Sequence, residues 1–217
     1  MKTACVLLLS CLAALPLLAQ SDYQAGDHEL LFMPTATTMP KGQWYFTDYE
    51  LFVLNFATAV TSRTHVGVLF LFPVTADFLE TISLGLKQNY LQSETVTGAL
   101  WATYTPDAGA LTLGNVLSVP FGATSLHLGL GAATGRDAEN WEFIFLGGLR
   151  HDLSRRTSFL LEYANTNSAI EEDFNGLISI GLRFRSSKMA WEIAGLRPLM
   201  DTKDILFLPL LKATILL

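Results

Sequence analysis

The chain is nearly free of cysteine. Its two cysteines, Cys5 and Cys11, both precede Gln20. If that stretch is a removed leader, the mature protein has no thiol, which excludes a disulfide framework and a thiolate metal site. Basic residues are also scarce. Lysine and arginine number 14 against 20 aspartate and glutamate, for a net charge of -6, and loss of Lys2 would make the balance more negative. A surface of that sign does not suit nucleic acid. Charged residues are only 16% of the chain. Long apolar runs are missing as well: beyond the leader nothing approaches the roughly 20 apolar residues of a membrane helix. No window reads as a convincing amphipathic helix, and no Ser/Gly linker or charge block divides the chain, so one domain is expected.

Apolar side chains in general are abundant. Half the residues are hydrophobic and the mean hydropathy is +0.35. A chain this apolar, without a spanning helix, has the composition of a β-barrel that faces lipid. The leader fits export. Lys2 is followed by an apolar stretch from Val6 to Leu18, then Ala19, Gln20 and Ser21. This is the layout of a secretory signal. The expected organisation is a signal peptide over 1–19 and an outer-membrane β-barrel over 20–217.

Short alternating segments recur along the rest. In Asn175 to Arg185, Ile178, Ile180, Leu182 and Phe184 share one parity, while Ser179, Gly181, Arg183 and Arg185 share the other. Strands of this kind are expected at Trp44–Val60, His65–Phe72, Leu79–Tyr90, Thr95–Tyr104, Leu111–Val119 and Ala123–Ala133. The series continues at Trp141–His151, Thr157–Asn165, Phe174–Arg185, Lys188–Leu196 and Asp204–Thr214. Each is rich in β-branched, aromatic or aliphatic residues and bounded by turn chemistry.

The links alternate in length. Those at Thr61–Thr64, Gln92–Glu94, Pro120–Gly122, Leu153–Arg156 and Ser186–Ser187 are tight. Those near Asp77, Pro106–Gly109, Gly135–Asn140, Thr166–Asp173 and Arg197–Lys203 are mostly longer. Outer-membrane barrels sort their connections in this way, with short periplasmic turns and longer external loops. If Thr61–Thr64 is periplasmic, the chain must first climb to the outer side. His28–Met33 is the available strand for that climb, with Pro34–Gly42 as the following loop. The expectation is therefore an all-β fold: a single closed antiparallel transmembrane barrel of about 12 strands, with 10 as the alternative.

The faces agree. Leu84 and Leu86 oppose Ser83, Gly85 and Lys87. Leu126, Leu128 and Leu130 oppose Ser125, His127 and Gly129. Phe159, Leu161 and Tyr163 oppose Ser158, Glu162 and Ala164. Met189, Trp191 and Ile193 oppose Ala190, Glu192 and Ala194. A uniform apolar face suits lipid, and a mixed face of Gly, Ser, Thr and a few charges suits a lumen. Trp44, Tyr45, Tyr90, Trp101, Tyr104, Trp141 and Trp191 are expected in aromatic girdles. Part of Trp44–Val60, and the run Ile144, Phe145, Leu146, are apolar on both parities. That pattern belongs as much to a soluble core.

The segment FMPTATTMPKGQWYFTDYELFVLNFATAVT, with HVGVLFLFPV after it, resembles the opening of uncharacterised outer-membrane β-barrel proteins of the Bacteroidetes-like type. The stretches LRHDLSRRTSFLLEYANT and ISIGLRFRSSKMAWEIAGLRP are similar to that family's closing hairpins. The resemblance implies a fold and an outer-membrane location in a Gram-negative cell, and it supplies no activity and no site residues. The Leu-rich C-terminus and the short external loops depart from it.

Little in the sequence carries chemistry. Ser125 and His127 share a strand face, but that face is the lumen side, and no orienting acid accompanies them. Arg150, His151 and Asp152 read as a solvated turn. Gly129 to Gly135 lacks the helix and lysine of a phosphate cradle, and no group has metal-ligand spacing. No catalytic, cofactor-binding or metal residue is expected. The polar parity does collect Lys87, Arg150, Glu162, Arg183, Arg185 and Glu192 as candidate lumen charges. Glu162 is placed to pair with Arg183 or Arg185, and Arg185 with Glu192, across neighbouring strands. Alternatively these charges plug the lumen or set the ion preference of a pore.

The functional expectation is a non-enzymatic barrel, structural or passing small solutes. Its partners would be outer-membrane lipid and, during insertion, the barrel-assembly machinery. The alternatives are an outer-membrane lipid-modifying enzyme and a soluble periplasmic barrel holding an apolar ligand.

Overall fold

The computed structural model describes residues 23–50, 52–72, 76–136, 138, 140–166, 176–199 and 207–217. The expected signal peptide lies outside the described residues. So do all or parts of the expected loops near Asp77, at Gly135–Asn140, at Thr166–Asp173 and at Arg197–Lys203.

Twelve strands close into one antiparallel barrel. They are β1 (Trp44–Tyr49), β2 (Val53–Thr61), β3 (Thr64–Leu71), β4 (Ser83–Gln92), β5 (Thr97–Thr105) and β6 (Ala110–Phe121). The second half is β7 (Thr124–Thr134), β8 (Glu142–Asp152), β9 (Thr157–Thr166), β10 (Leu177–Arg185), β11 (Met189–Pro198) and β12 (Leu208–Leu216). Each strand pairs with its sequence neighbours, and β1 closes the ring on β12 through Tyr45↔Leu216 to Tyr49↔Lys212. Closure leaves no sheet edge, so every strand has a hydrogen-bonding partner on both sides.

The strand number matches the expectation, but the route to it differs. His28–Met33 is not a strand. It makes one isolated bridge, Glu29↔Pro34, inside the barrel. Its sequence explains the difference: two polar residues are followed by Leu30, Leu31, Phe32 and Met33 without alternation, which no two-faced strand can use. The twelfth strand comes from Trp44–Val60, which is a hairpin. The chain reverses at Glu50, whose φ of 56° is a left-handed turn conformation. That reversal explains why the run looks apolar on both parities. Phe46 and Phe56 pack against each other outside with their rings tilted, centroids 4.7 Å apart, while Tyr45, Tyr49 and Ala57 are buried.

The apolar parity points outward. Leu128 is 58% exposed, Leu130 66% and Ile193 60%, and Leu84, Leu86, Leu182 and Phe184 are exposed beside them. Water would not tolerate so continuous an apolar belt, whereas hydrocarbon solvates it. Trp44 and Trp191 project from the end with tight turns, and Tyr104 and Trp141 from the other end. Two girdle assignments are corrected. Tyr45 is buried in the lumen, and Trp101 packs inward against Val116 and Leu146. The tight end carries the turns at 62–63, 93–96, 122–123, 153–156 and 186–188, together with the start of β1 and the end of β12. The other end carries the longer connections, apart from the short β1–β2 turn and the four-residue β5–β6 link at 106–109, which is no longer than the turns at 93–96 and 153–156.

Candidate functional site: the plugged lumen

The lumen is filled by the chain's own N-terminal segment. Residues 23–43 enter at the tight-turn end, climb to Phe32 and Met33, and return to begin β1. The two arms meet through Leu30 N to Met33 O (2.8 Å) and Thr35 N to His28 O (3.0 Å). With so little secondary structure, most peptide groups of this plug need partners from the wall. The inward side chains supply them.

Glu162 on β9 holds the tip. Its carboxylate accepts from Leu31 N (2.6 Å), Phe32 N (3.1 Å to each oxygen) and Met33 N (3.0 Å). Successive amides converging on one carboxylate form an anion nest, and the charge strengthens each bond. Cations take the carbonyls. Arg183 donates to Gly26 O, Glu29 O and Leu30 O, each at 2.8 Å. Lys212 donates to Leu30 O (2.8 Å) and Leu31 O (2.9 Å). Lys87 donates to His28 O (2.9 Å), Thr35 O (3.2 Å) and Thr37 O (2.8 Å). Neutral groups complete the set. Asn89 donates to Ala36 O (3.0 Å), Ser118 accepts from Ala36 N (2.9 Å), and His65 accepts from Met39 N (2.5 Å).

Opposite charges lie in register across three strands. Arg183 faces Glu192, and Glu192 faces Lys212. The pairs close at 2.6 Å and 3.0 Å, and Lys212 also reaches Glu29 of the plug at 2.9 Å. Tyr49 donates its hydroxyl to the other Glu29 oxygen at 2.8 Å. Burial pushes the Glu29 carboxyl up, but Lys212 and His28 outweigh it and hold the group well below the usual carboxylate range. Burial lowers His28 despite the neighbouring Glu29. His28 stacks on Tyr45 at 3.8 Å and shares a hydrogen bond with the Tyr23 hydroxyl at 2.7 Å.

A second cluster clasps the plug at the tight-turn end. Asp27 receives Arg150 at 2.9 Å and Arg185 at 2.8 Å, and Arg185 also bonds Asp152 at 2.9 Å. Arg150 and Asp152 therefore belong to a lumen clasp rather than to a solvated turn. His151 shares a hydrogen bond with Thr124 at 2.8 Å.

The fold thus brings together all six candidate lumen charges, Lys87, Arg150, Glu162, Arg183, Arg185 and Glu192. Their pairings are corrected. Glu162 serves the plug amides, and the partners of Glu192 are Arg183 and Lys212, which stand opposite it in register on either side. Sequence reasoning missed Lys212, Asp27 and Glu29. Lys212 is a lone charge on the parity of Leu210 and Thr214, which was a readable signal. Asp27 and Glu29 had none, because a segment without alternation assigns its residues to no face. Ser125 and His127 are lumen fillers: His127 lies 3.0 Å from Ser125 Oγ and 2.8 Å from Ser118 Oγ, away from lipid.

An apolar layer surrounds the plug tip. Leu30, Leu31, Met33 and Ala36 pack on Ala99, Val116, Leu146, Leu160, Ala194 and Leu210 of the wall. This accounts for Ile144, Phe145 and Leu146: Phe145 faces out, and its neighbours face a lumen that is itself partly apolar. Around the tip, and down beside the plug along β1–β4 as far as Tyr45 and His65, a cavity of about 490 Å³ remains. Among the described residues no cluster of His, Cys, Asp or Glu is arranged to hold a metal.

Among solved structures the chain is similar to the KdgM porin, determined in complex with disordered oligogalacturonate. The TM-score is 0.51 and the identity 5%, over 80% of this chain and 95% of that one. A triple mutant of the Rhodopseudomonas blastica porin aligns with a TM-score of 0.44 and 8% identity, over 92% of this chain and 68% of that one. Another mutant of the same porin gives 0.43 and 9%, and the chain spans only 55% of its length. No family model and no curated protein matches. At these identities the likeness concerns fold, and the fold is that of a porin-type β-barrel.

Proposed function

We propose that this protein is a non-enzymatic outer-membrane barrel that passes small solutes only when its N-terminal plug withdraws. The observation that carries the reading is the wiring of the plug. Its backbone is held by side chains of the wall, above all Glu162, Arg183, Lys212 and Lys87. Charged side chains hydrate well in an open aqueous lumen, so the same residues suit a closed and an opened state. The apolar outer belt supports an outer-membrane location in a Gram-negative cell, with lipid as its partner and the barrel-assembly machinery acting during insertion. The quoted opening and closing segments support grouping with the Bacteroidetes-like barrels. The division into a signal peptide at 1–19 and a barrel over 20–217 is part of the proposal. So is the absence of any cofactor: the Ser–His pair sits in the lumen, where lipid cannot reach it.

Planar-bilayer recording tests the gate. The full chain is expected to be mostly closed with brief openings. Glu162→Ala, which frees three plug amides, is expected to raise the open fraction by about tenfold or more, since losing charge-assisted bonds costs over 1.4 kcal/mol. A full chain that conducts steadily, with the same open fraction as Glu162→Ala, would contradict the gate.

A further inference from the structure

We infer that the cavity between the plug and the barrel wall is a binding site for a small neutral molecule with a hydrocarbon body. The volume, about 490 Å³, falls among the small-molecule sites of proteins. Its lining decides the chemistry. Phe32 and Met33 line it from the plug, and Tyr49, Trp101, Ile144 and Leu146 from the wall. Phe32 is the telling residue. It belongs to the plug yet remains 43% exposed, stacked on Tyr49 at 5.8 Å between ring centroids. A large apolar side chain held toward an internal space, in a stretch whose other residues from Ala25 to Pro40 are buried or half-buried, presents a contact surface.

The charged groups of the lining are already paired. Glu162 is saturated by plug amides, Glu29 by Lys212, His28 and Tyr49, and Lys87 by plug carbonyls. An ionic ligand would find no unpaired counter-charge there, and burying it would be costly. Water gains little in a space lined this way.

The recess is also built by residue choice. Gly67 and Gly85 face each other across β3 and β4. A Cβ at Gly85 would meet nothing nearer than Gly67 O, at 3.8 Å. The wall there is bare backbone, and any side chain placed on it would enter the cavity. The space is too small for a two-chain phospholipid, so the occupant is a free molecule of medium-chain or aromatic size. The inference rests on the plug being seated in the lumen and does not require that it withdraw.

The test uses the full chain in lipid nanodiscs with bromoundecanol, a neutral alcohol whose bromine quenches tryptophan on contact. Two components are expected. Partition into the bilayer quenches Trp44, Trp141 and Trp191 in proportion to concentration. Occupation of the cavity quenches Trp101 and saturates. Gly85→Phe should weaken the saturable component by about tenfold or more, with the proportional component and the closed state unchanged. Phe32→Ala, which removes an exposed ring, should weaken it several-fold and serves if Gly85→Phe does not fold. Proportional quenching alone in the unaltered chain would overturn the proposal. So would native mass spectrometry showing a phospholipid bound to the barrel and displaced by Gly85→Phe. Either result leaves the conductance test of the gate untouched.

Discussion

The lumen charges are best understood residue by residue as solvent for a buried backbone. Arg183 is fully buried and satisfies one carboxylate and three carbonyls. Removing one partner from such a group leaves the others unpaired, at about 3–5 kcal/mol. Arg183→Met is therefore expected to lower stability by about that much in urea unfolding of the refolded barrel. Arg155→Gln, on an exposed turn, should stay within about 0.5 kcal/mol. Comparable losses for the two would mean that the buried wiring is not what holds the plug. The identity of these charges was legible from parity alone, because a period of two assigns each residue to a face. Their partners were not. Arg183 or Arg185 was expected to meet Glu162, but Glu162 stands opposite Ser179 in register and reaches the plug instead. Register and the content of the lumen both lie beyond what one strand's sequence contains.

At the scale of elements, the plug and the first hairpin hold the main lesson. His28–Met33 was expected as a strand because a barrel with both ends on one side needs an even number, and a strand was missing. The missing strand lay inside Trp44–Val60, hidden because no Gly or Pro marks its turn; Glu50 takes the left-handed conformation instead. The signal against the plug being a strand was its lack of alternation. Close packing across the wall makes another prediction. Trp101 lies flat on Gly114, where an added Cβ would come within 2.4 Å of the indole. Gly114→Val is expected to cost about 1–3 kcal/mol by overpacking, seen as a lower unfolding midpoint. Gly85→Ala, whose Cβ would meet only Gly67 O at an ordinary 3.8 Å, should have almost no effect. If Gly114→Val were equally silent, the inward placement of Trp101 would be wrong.

For the whole molecule, orientation decides the rest. The same alternation that would build a soluble core with apolar residues inside builds a membrane barrel with them outside. The loop-length sorting, the lumen charges and the two-sided apolar segments acquire one explanation only in the second arrangement. A charge at Leu128, near the middle of β7 on the outer face, should then cost about 2–4 kcal/mol in a bilayer. Leu128→Arg is expected to show that loss in refolding into lipid vesicles. A soluble barrel with Leu128 in water would hardly register it.

The most direct test of the account is fractionation of cells expressing the full chain, followed by gel migration of the membrane fraction with and without boiling. The account predicts a protein in the outer membrane whose unboiled form migrates differently from the boiled one, because the closed ring of strands resists detergent at room temperature. A mature chain found free in the periplasm, with no shift on boiling, would contradict it.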